Sequence, residues 1–183
     1  MVWALALAAV PVVLVVALVW QGTRVPRRHV ATVSAALPGA AIETWKIVSD
    51  LGAWPMWHAE VQRTERVPQA ASETWRLFQR GRALPVRVVE RRAPANGAAG
   101  VFVTEIADAG LPFGGTWRWE ILDTARGVEV TVTEDGFIDS ALFRALAHRW
   151  LGYTRTAEGM LRALARHRGA TVVVKSHVTH PAG

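Results

Sequence analysis

Residues 2–20 form an uninterrupted apolar run, VWALALAAVPVVLVVALVW, with no charged or strongly polar side chain. As a helix, a run of this length would be about 28 Å long, close to the roughly 30 Å hydrocarbon core of a bilayer. Trp3 and Trp20 stand at its two ends, where the indoles of membrane helices are commonly found. Pro11 is tolerated in a membrane helix and can kink it. The run predicts one transmembrane anchor over residues 1–22.

A cleaved signal peptide is the competing interpretation of the same run. No Lys or Arg precedes it, and no small-x-small cleavage site follows it, because the exit reads LVWQGTR. An uncleaved anchor is therefore favoured. Arg24, Arg27 and Arg28 lie only on the C-terminal side, around a basic linker over residues 23–28, so the positive-inside rule places the N-terminus outside and the rest of the chain in the cytoplasm. These arginines could also contact anionic headgroups at the membrane interface.

Composition excludes several classes of site. The chain has no cysteine, which rules out disulfides, thiolate catalysis and Cys-type zinc sites. The net charge is +6, but Arg alternates with Glu and Asp along most of the chain, so nucleic-acid binding is not expected. His177 and His180 have no third ligand nearby, and GGTW lacks the end of a phosphate loop. We therefore expect neither a metal nor another cofactor.

Beyond residue 28 the apolar pattern predicts one strand, one helix, six further strands and one long helix. The first strand is HVATVSAAL (29–37), and the first helix is PGAAIETWKIVSDLGAW (38–54). Alternating segments separated by turn residues then cover 60–67, 72–80, 83–92, 100–108, 115–122 and 128–135. Apolar residues recur at helical spacing over about 139–168, and Gly169 is a C-terminal stop. Residues 170–183 are a C-terminal tail, either one more strand or disordered.

This order of elements resembles the helix-grip fold of the START-like superfamily (SRPBCC), which includes polyketide cyclase/dehydrase-like proteins. The matching local features are Trp45 with AWPMWH (53–58), LPFGGTWRWEI (111–121) and VTEDGFIDSALFRALAHRWLGY (132–153). The resemblance covers residues 29–169 and implies an α+β fold, with a curved antiparallel sheet wrapped around a long C-terminal helix. It is specific for the fold and weak for activity, because the family has no universal catalytic motif. The predicted N-terminal transmembrane helix departs from the soluble family pattern.

Trp117 and Trp119 lie two residues apart in a predicted strand, so both indoles point to one face together with Ile121. On the implied fold that face meets the C-terminal helix, and indoles suit the wall of a pocket for an apolar ligand. The predicted ligand-binding residues are Trp57, Trp75, Trp117, Trp119, Phe143, Leu146, Trp150 and Tyr153. The alternative is that these side chains fill a core that binds nothing.

Two side chains are weak candidates for catalysis. His58 precedes the second strand, at the expected cavity mouth, and a histidine titrates in the range that general acid–base chemistry needs. Glu134 has the strand parity of Val130 and Val132 and so points inward near a strand end. The alternatives are a surface or capping role for His58 and a salt bridge to an arginine for Glu134.

Three functions fit this sequence. The first is a membrane-anchored binding protein for a hydrophobic or amphipathic small molecule, such as a lipid, quinone or polyketide-like compound, in a cavity between the sheet and the C-terminal helix. The second is a non-catalytic accessory or structural subunit of a larger membrane protein complex. The third, implied only by the resemblance, is a cyclase/dehydrase-type enzyme. The Arg- and Ala-rich composition favours a bacterial source, and hence a single-pass protein of the inner (cytoplasmic) membrane.

Overall fold

The computed structural model describes the backbone of residues 2–180 and the side chains of residues 11–180. The helices are α1 (Val2–Thr23), α2 (Ala41–Ser49), a 3-10 helix (Leu51–Met56), α3 (Ala141–Leu146), a π-helical turn (Ala147–Leu151) and α4 (Arg155–His167). The strands are β1 (Arg28–Leu37), β2 (Arg63–Arg66), β3 (Thr74–Gln79), β4 (Arg82–Arg92), β5 (Gly100–Ile106), β6 (Phe113–Thr124), β7 (Gly127–Ile138) and β8 (Lys175–Thr179).

The eight strands form one antiparallel sheet in the order β2-β3-β4-β5-β6-β7-β1-β8. Strands β2 to β7 follow one another as hairpins, while β1 returns to pair with β7. The register of β4 shifts between Val88 and Glu90, and an irregularity of this kind bends a strand. The result is an α+β fold with a large curved sheet, consistent with the predicted helix-grip fold.

The concave face of the sheet carries the core. Trp119 lies opposite Phe102 on β5 and Val132 on β7, and Val132 lies opposite Val33 on β1. Because side chains alternate along a strand, these four residues share one face. Helix α4 packs on β1 and β7 with its apolar side, and α2 packs on β5 and β6. Trp119, Phe102 and Leu161 of α4 are fully buried as a result.

The prediction of one continuous helix over 139–168 is wrong. The segment is divided into α3, the π-helical turn and α4, with a break at Gly152. Gly152 has a φ of +71°, which a helix does not contain, and its N–H bonds back to the carbonyl of Ala147 at 2.9 Å. Phe143 and Trp150 precede this break, and their side chains are 55% and 62% exposed instead of packed on the sheet.

The predicted strands are confirmed, with bounds that differ by a few residues. The predicted helix 38–54 is shorter, because Asp50 interrupts it: its carboxylate accepts hydrogen bonds from the N–H groups of Gly52 and Ala53 and so starts the 3-10 helix. The C-terminal tail forms β8, which pairs with β1 at the sheet edge. The strand interpretation of the tail is therefore the correct one.

The predicted transmembrane anchor is not supported. Within the part of the chain whose side chains are described, no helix is long and apolar enough to cross a membrane. The predicted run falls in α1, but the side chains of residues 2–10, Trp3 among them, lie outside the described part. The described side chains Val12, Leu14 and Trp20 of α1 are exposed.

Candidate functional site

A groove of about 1320 Å³ lies at the end of the sheet where β5 and β7 end and β1 and β6 begin. Its wall consists of residues 23–28, 105–109, 114–116 and 135–137, with Arg87, Asp139, Arg144 and His180. Residues 23–28 of this wall include the connection from α1 to β1. This position differs from the predicted cavity between the sheet and the C-terminal helix.

The charged side chains of the groove wall are largely paired with each other. Arg27 pairs with Asp139, Arg28 with Asp135 at 3.0 Å, and Arg87 with Glu105 at 2.6 Å. The same wall has apolar surface, which Val25, Ile106 and Phe137 supply. Paired charges attract a further ion weakly, so this wall suits an amphipathic molecule better than a strongly charged one.

A cluster of polar side chains adjoins the inner end of the groove. His29 of β1 is only 3% exposed; its Nε2 lies 3.5 Å from Oε1 of Glu134, and its ring packs on the Tyr153 ring with centroids 4.4 Å apart. Tyr153 also contacts His180, with ring centroids 5.3 Å apart. His180 and Gly136 line the groove and touch this cluster, whereas His29, Glu134, Trp117 and Tyr153 do not line it.

The pairing of β1 with β7 assembles this cluster. His29 lies opposite Gly136, and Ala31 lies opposite Glu134, so the imidazole and the carboxylate share the concave face. A β-carbon at Gly136 would come within 2.9 Å of the His29 ring. Glycine at this position therefore makes room for the imidazole. The break at Gly152 then brings Tyr153 down onto the ring from the C-terminal segment.

Three buried polar atoms on His29, Tyr153 and Trp117 have no hydrogen-bond partner among the described residues. They are Nδ1 of His29, the hydroxyl of Tyr153 and Nε1 of Trp117, which lies directly opposite Glu134 in the sheet. A buried donor or acceptor without a partner costs about 1–3 kcal/mol, and most native ones are satisfied by protein, water or ligand. A bound polar group would satisfy such atoms; the core atoms Nε1 of Trp57, Nε1 of Trp119 and Nε2 of His58 share the condition.

Burial raises the pKa of Tyr153, and the positive charge of Arg144 opposes that shift. The phenol therefore stays protonated at neutral pH and serves as a hydrogen-bond donor. A carboxylate, an imidazole and a phenol within one cluster can bind a hydroxyl or carbonyl group. They can also move a proton to or from it.

Trp57 and Trp119 contact each other instead of walling a cavity. Their rings meet edge to face at 6.2 Å, Trp57 is 6% exposed, and Trp119 is fully buried. Both indole N–H groups lack a partner among the described residues. The prediction that Trp119 faces inward is confirmed, and Trp57 and Trp119 both fill the core.

His58 does not line the groove. Its ring stacks on Trp54 at 5.3 Å, and its Nδ1 accepts a hydrogen bond from the Glu60 N–H at 3.3 Å. Burial lowers the pKa of His58, while the Glu60 charge opposes the shift. The imidazole is therefore a neutral part of the core away from the groove, as in the capping alternative.

The remaining predicted residues are dispersed. Trp75 donates from Nε1 to Oε1 of Glu73 at 2.9 Å, and Leu146 is half-buried in α3. Phe143 and Trp150 face outward. Of the predicted membrane-interface arginines, Arg24 stacks on the Trp20 ring, while Arg27 and Arg28 hold the groove carboxylates. The structure thus brings together only Trp117, Glu134 and Tyr153 of the predicted site.

Sequence reasoning missed His29. A signal was present, because His29 has the strand parity of Ala31 and Val33, the buried side of β1. A histidine at the start of an inward-facing row is a candidate for a site at the strand end. Its carboxylate partner could not be read from the sequence, because the β1–β7 pairing joins residues that are far apart along the chain.

No protein-family model and no curated protein matches this chain. Solved structures match it in fold. A START superfamily protein from Mycobacterium smegmatis aligns with a TM-score of 0.55 and 19% identity, over 76% of this chain and 96% of that chain. The di-domain ARO/CYC StfQ of the steffimycin biosynthetic pathway aligns with a TM-score of 0.53 and 18% identity, over 77% of this chain and 52% of that chain.

Norcoclaurine synthase from Thalictrum, solved as a point mutant with a transition-state analogue, aligns with a TM-score of 0.56 and 10% identity, over 76% of this chain and 93% of that chain. At these identities the comparison shows a shared fold. The fold is thus shared with a START superfamily protein and with a di-domain ARO/CYC protein.

Proposed function

We propose that this protein binds an amphipathic small molecule in this groove, while α1 tethers it to a membrane. One observation carries the proposal: the groove of about 1320 Å³ is joined through His180 to a buried cluster in which His29 and Tyr153 carry unpartnered polar atoms. Ligand pockets are commonly about 300–1,000 Å³, so this open groove has room for a lipid, quinone or polyketide-like compound.

The ligand would have one polar end and one apolar part. A carbonyl or hydroxyl at the inner end would accept from the Tyr153 phenol or the Trp117 indole and reach His29 or Glu134. The apolar part would lie along Val25, Ile106 and Phe137 in the groove wall. Polar groups at one end and apolar side chains along the wall favour an amphipathic ligand, such as a lipid, a quinone or a polyketide-like compound.

The membrane location rests on the apolar run at residues 2–20 and on the exposed apolar side chains that α1 carries between Val12 and Trp20. A helix that is apolar on all sides requires an apolar environment. A tether in the bacterial inner membrane, with the domain on the cytoplasmic side, would hold the groove where such ligands dissolve. The groove wall begins at Thr23, the last residue of that helix.

A second function, catalysis, is favoured by the geometry of the polar cluster. Glu134 can orient His29 as a general base, and the neutral Tyr153 phenol can donate a proton to a substrate oxygen. Such a site would remove a proton next to a carbonyl and assist loss of a hydroxyl, the steps of a cyclisation–dehydration. One protein that shares the fold is a di-domain ARO/CYC of a biosynthetic pathway, which supports this class. His58 takes no part in this mechanism.

Native mass spectrometry of the full-length protein, purified from its own membranes in mild detergent, tests the proposal. We expect a co-purifying compound of fixed mass. Glu134→Gln and Tyr153→Phe should reduce its occupancy several-fold. Glu120→Gln is the matched control, because Glu120 lies on β6 with its side chain partly exposed and outside the groove. An empty protein bound to stoichiometric protein partners would instead favour the accessory-subunit function.

A further inference from the structure

Helix α3 and the π-helical turn present three large apolar side chains to the surface. Phe143, Trp150 and Leu151 are 55%, 62% and 49% exposed, respectively, and we call this set the α3 face. Exposed apolar residues scattered singly are ordinary, but three within nine positions of one helical segment form a patch that marks an interaction site.

The α3 face is fixed against the end of α1. Gly22 of α1 lies so close to α3 that a β-carbon there would overlap the carbonyl oxygen of Ala141. The buried Arg144 of α3 donates from Nε to the carbonyl of Gly22 at 2.9 Å and from Nη1 to the carbonyls of Ile138 and Asp139 at 3.0 and 2.7 Å. A guanidinium at this point also caps the C-terminal end of α1, where the helix dipole favours a cation.

Apolar surface continues from α1 toward this joint. Between Pro11 and Trp20 the described side chains are exposed with only one intermediate exception, and Trp20 itself is 62% exposed. The α3 face is therefore attached, through the Gly22–Ala141 contact, to a helix whose own surface is apolar. Whatever surrounds the end of α1 lies beside α3 as well.

The charges near the joint point to an anionic surface. Residues 1–42 and 140–157 contain no Asp or Glu. Arg24, Arg149 and Arg155 are exposed and form no ion pair with a carboxylate in the part of the chain that the structure describes. Basic residues beside exposed Trp and Phe are the pattern of a lipid headgroup interface.

We infer that the α3 face is a second membrane contact, which seats the domain on an anionic bilayer with the groove beside the headgroups. This inference rests on the membrane location proposed above and adds a docking surface and an orientation to it. Arg144 both fixes the joint and lines the groove, so the contact places the groove opening next to the lipid. A ligand can then pass between bilayer and groove without crossing water.

The absence of cysteine makes single labels straightforward, and all chosen positions are exposed, so the variants should fold. Full-length Phe143→Cys and Trp150→Cys would be spin-labelled and placed in nanodiscs of equimolar phosphatidylcholine and phosphatidylglycerol. Val173→Cys and Met56→Cys are matched controls, since both are exposed apolar positions outside the α3 face. Val16→Cys reports on α1 itself.

We expect labels at 143 and 150 to collide more with lipid-soluble oxygen than with a water-soluble nickel complex, and labels at 56 and 173 to show the reverse. Water-accessible labels at 143 and 150, with the label at 16 in lipid, would overturn the inference and leave the tether intact. A label at 16 that lies in water would overturn both the membrane tether and the inference about the α3 face. Labels at 143 and 150 shielded from oxygen and nickel alike would mean contact with a second protein copy and would also overturn it.

Lipid charge provides an independent readout. In nanodiscs of phosphatidylcholine alone, the labels at 143 and 150 should become more accessible to nickel, while the label at 16 should not change, because only the α3 face is expected to depend on Arg24, Arg149 and Arg155. Equal accessibility in both lipids would contradict the attraction to anionic headgroups on which the inference relies.

Discussion

Tyr153 is a residue at which folding and ligand binding favour different side chains. Its hydroxyl is buried without a partner among the described residues, in a cluster where His29 Nδ1 and Trp117 Nε1 share that condition. Such atoms reduce stability in the free protein and become useful when a ligand bonds to them. An optimised core would contain Phe at this position.

Replacing Tyr153 by Phe should therefore leave the protein as stable or more stable, by up to about 1 kcal/mol, because the change removes an unsatisfied hydroxyl and keeps the ring on His29. The same change should reduce retention of the co-purifying compound. Urea unfolding followed by tryptophan fluorescence in mild detergent measures the first effect. A loss of more than about 1 kcal/mol would mean that the hydroxyl already has a stabilising partner in the folded protein.

The pH dependence of stability reports on His58. Its folded pKa lies below the ordinary value of 6.5, because burial disfavours the imidazolium. Between these two pKa values the unfolded chain binds a proton that the folded chain does not. The contribution of His58 to the free energy of unfolding is thus complete above about pH 6.5, and it is lost as the pH falls below that value.

We expect the free energy of unfolding of the wild type to fall between pH 7 and 5 by more than that of His58→Asn. Asparagine keeps an acceptor for the Glu60 N–H and cannot titrate, so the difference between the two curves isolates the histidine. Parallel curves over this interval would show that the His58 pKa is not lowered in the folded protein.

At the scale of elements, the strands follow from period-two alternation, because a sheet with one buried face must alternate. Trp119, Ile121 and Val132 were assigned to the concave face on this basis, and all three are buried there. The C-terminal helix could not be predicted as well. Its apolar spacing is continuous through 139–168, and the break depends on one glycine that helices also tolerate.

Two glycines in this segment offer a matched test of the break. Gly152 has a φ of +71°, whereas Gly159 lies within α4 with no atom near its missing β-carbon. Gly152→Ala should destabilise the protein by about 1–3 kcal/mol, because a φ of 71° with a ψ of 146° is a backbone conformation that residues with a β-carbon rarely adopt. Gly159→Ala should stabilise it by up to about 1 kcal/mol through helix propensity.

Thermal and urea unfolding of both variants provide the measurement. If Gly152→Ala were stabilising to the same degree as Gly159→Ala, the C-terminal segment would be one continuous helix. Tyr153 would then no longer be turned onto His29, and the polar cluster would not form as described here.

For the whole molecule, the decisive feature is the return of β1 to the sheet between β7 and β8. This pairing brings His29 to Glu134 and sets the start of β1, with α1 before it, at the rim of the groove. Local sequence patterns predict each strand, but they do not predict which other strand pairs with it. The fold class was therefore predictable from element order, and the site was not, because its residues come from segments distant in sequence.

We propose above all that the groove holds an amphipathic molecule against the polar cluster. Ile106 lines the groove, whereas Val89 is 55% exposed and outside it. Maleimide labelling of Ile106→Cys and Val89→Cys would be timed in full-length protein, directly after mild purification and again after exhaustive delipidation. We predict that delipidation speeds labelling at 106 at least several-fold and leaves labelling at 89 unchanged. Equal rates at 106 before and after delipidation would contradict the claim.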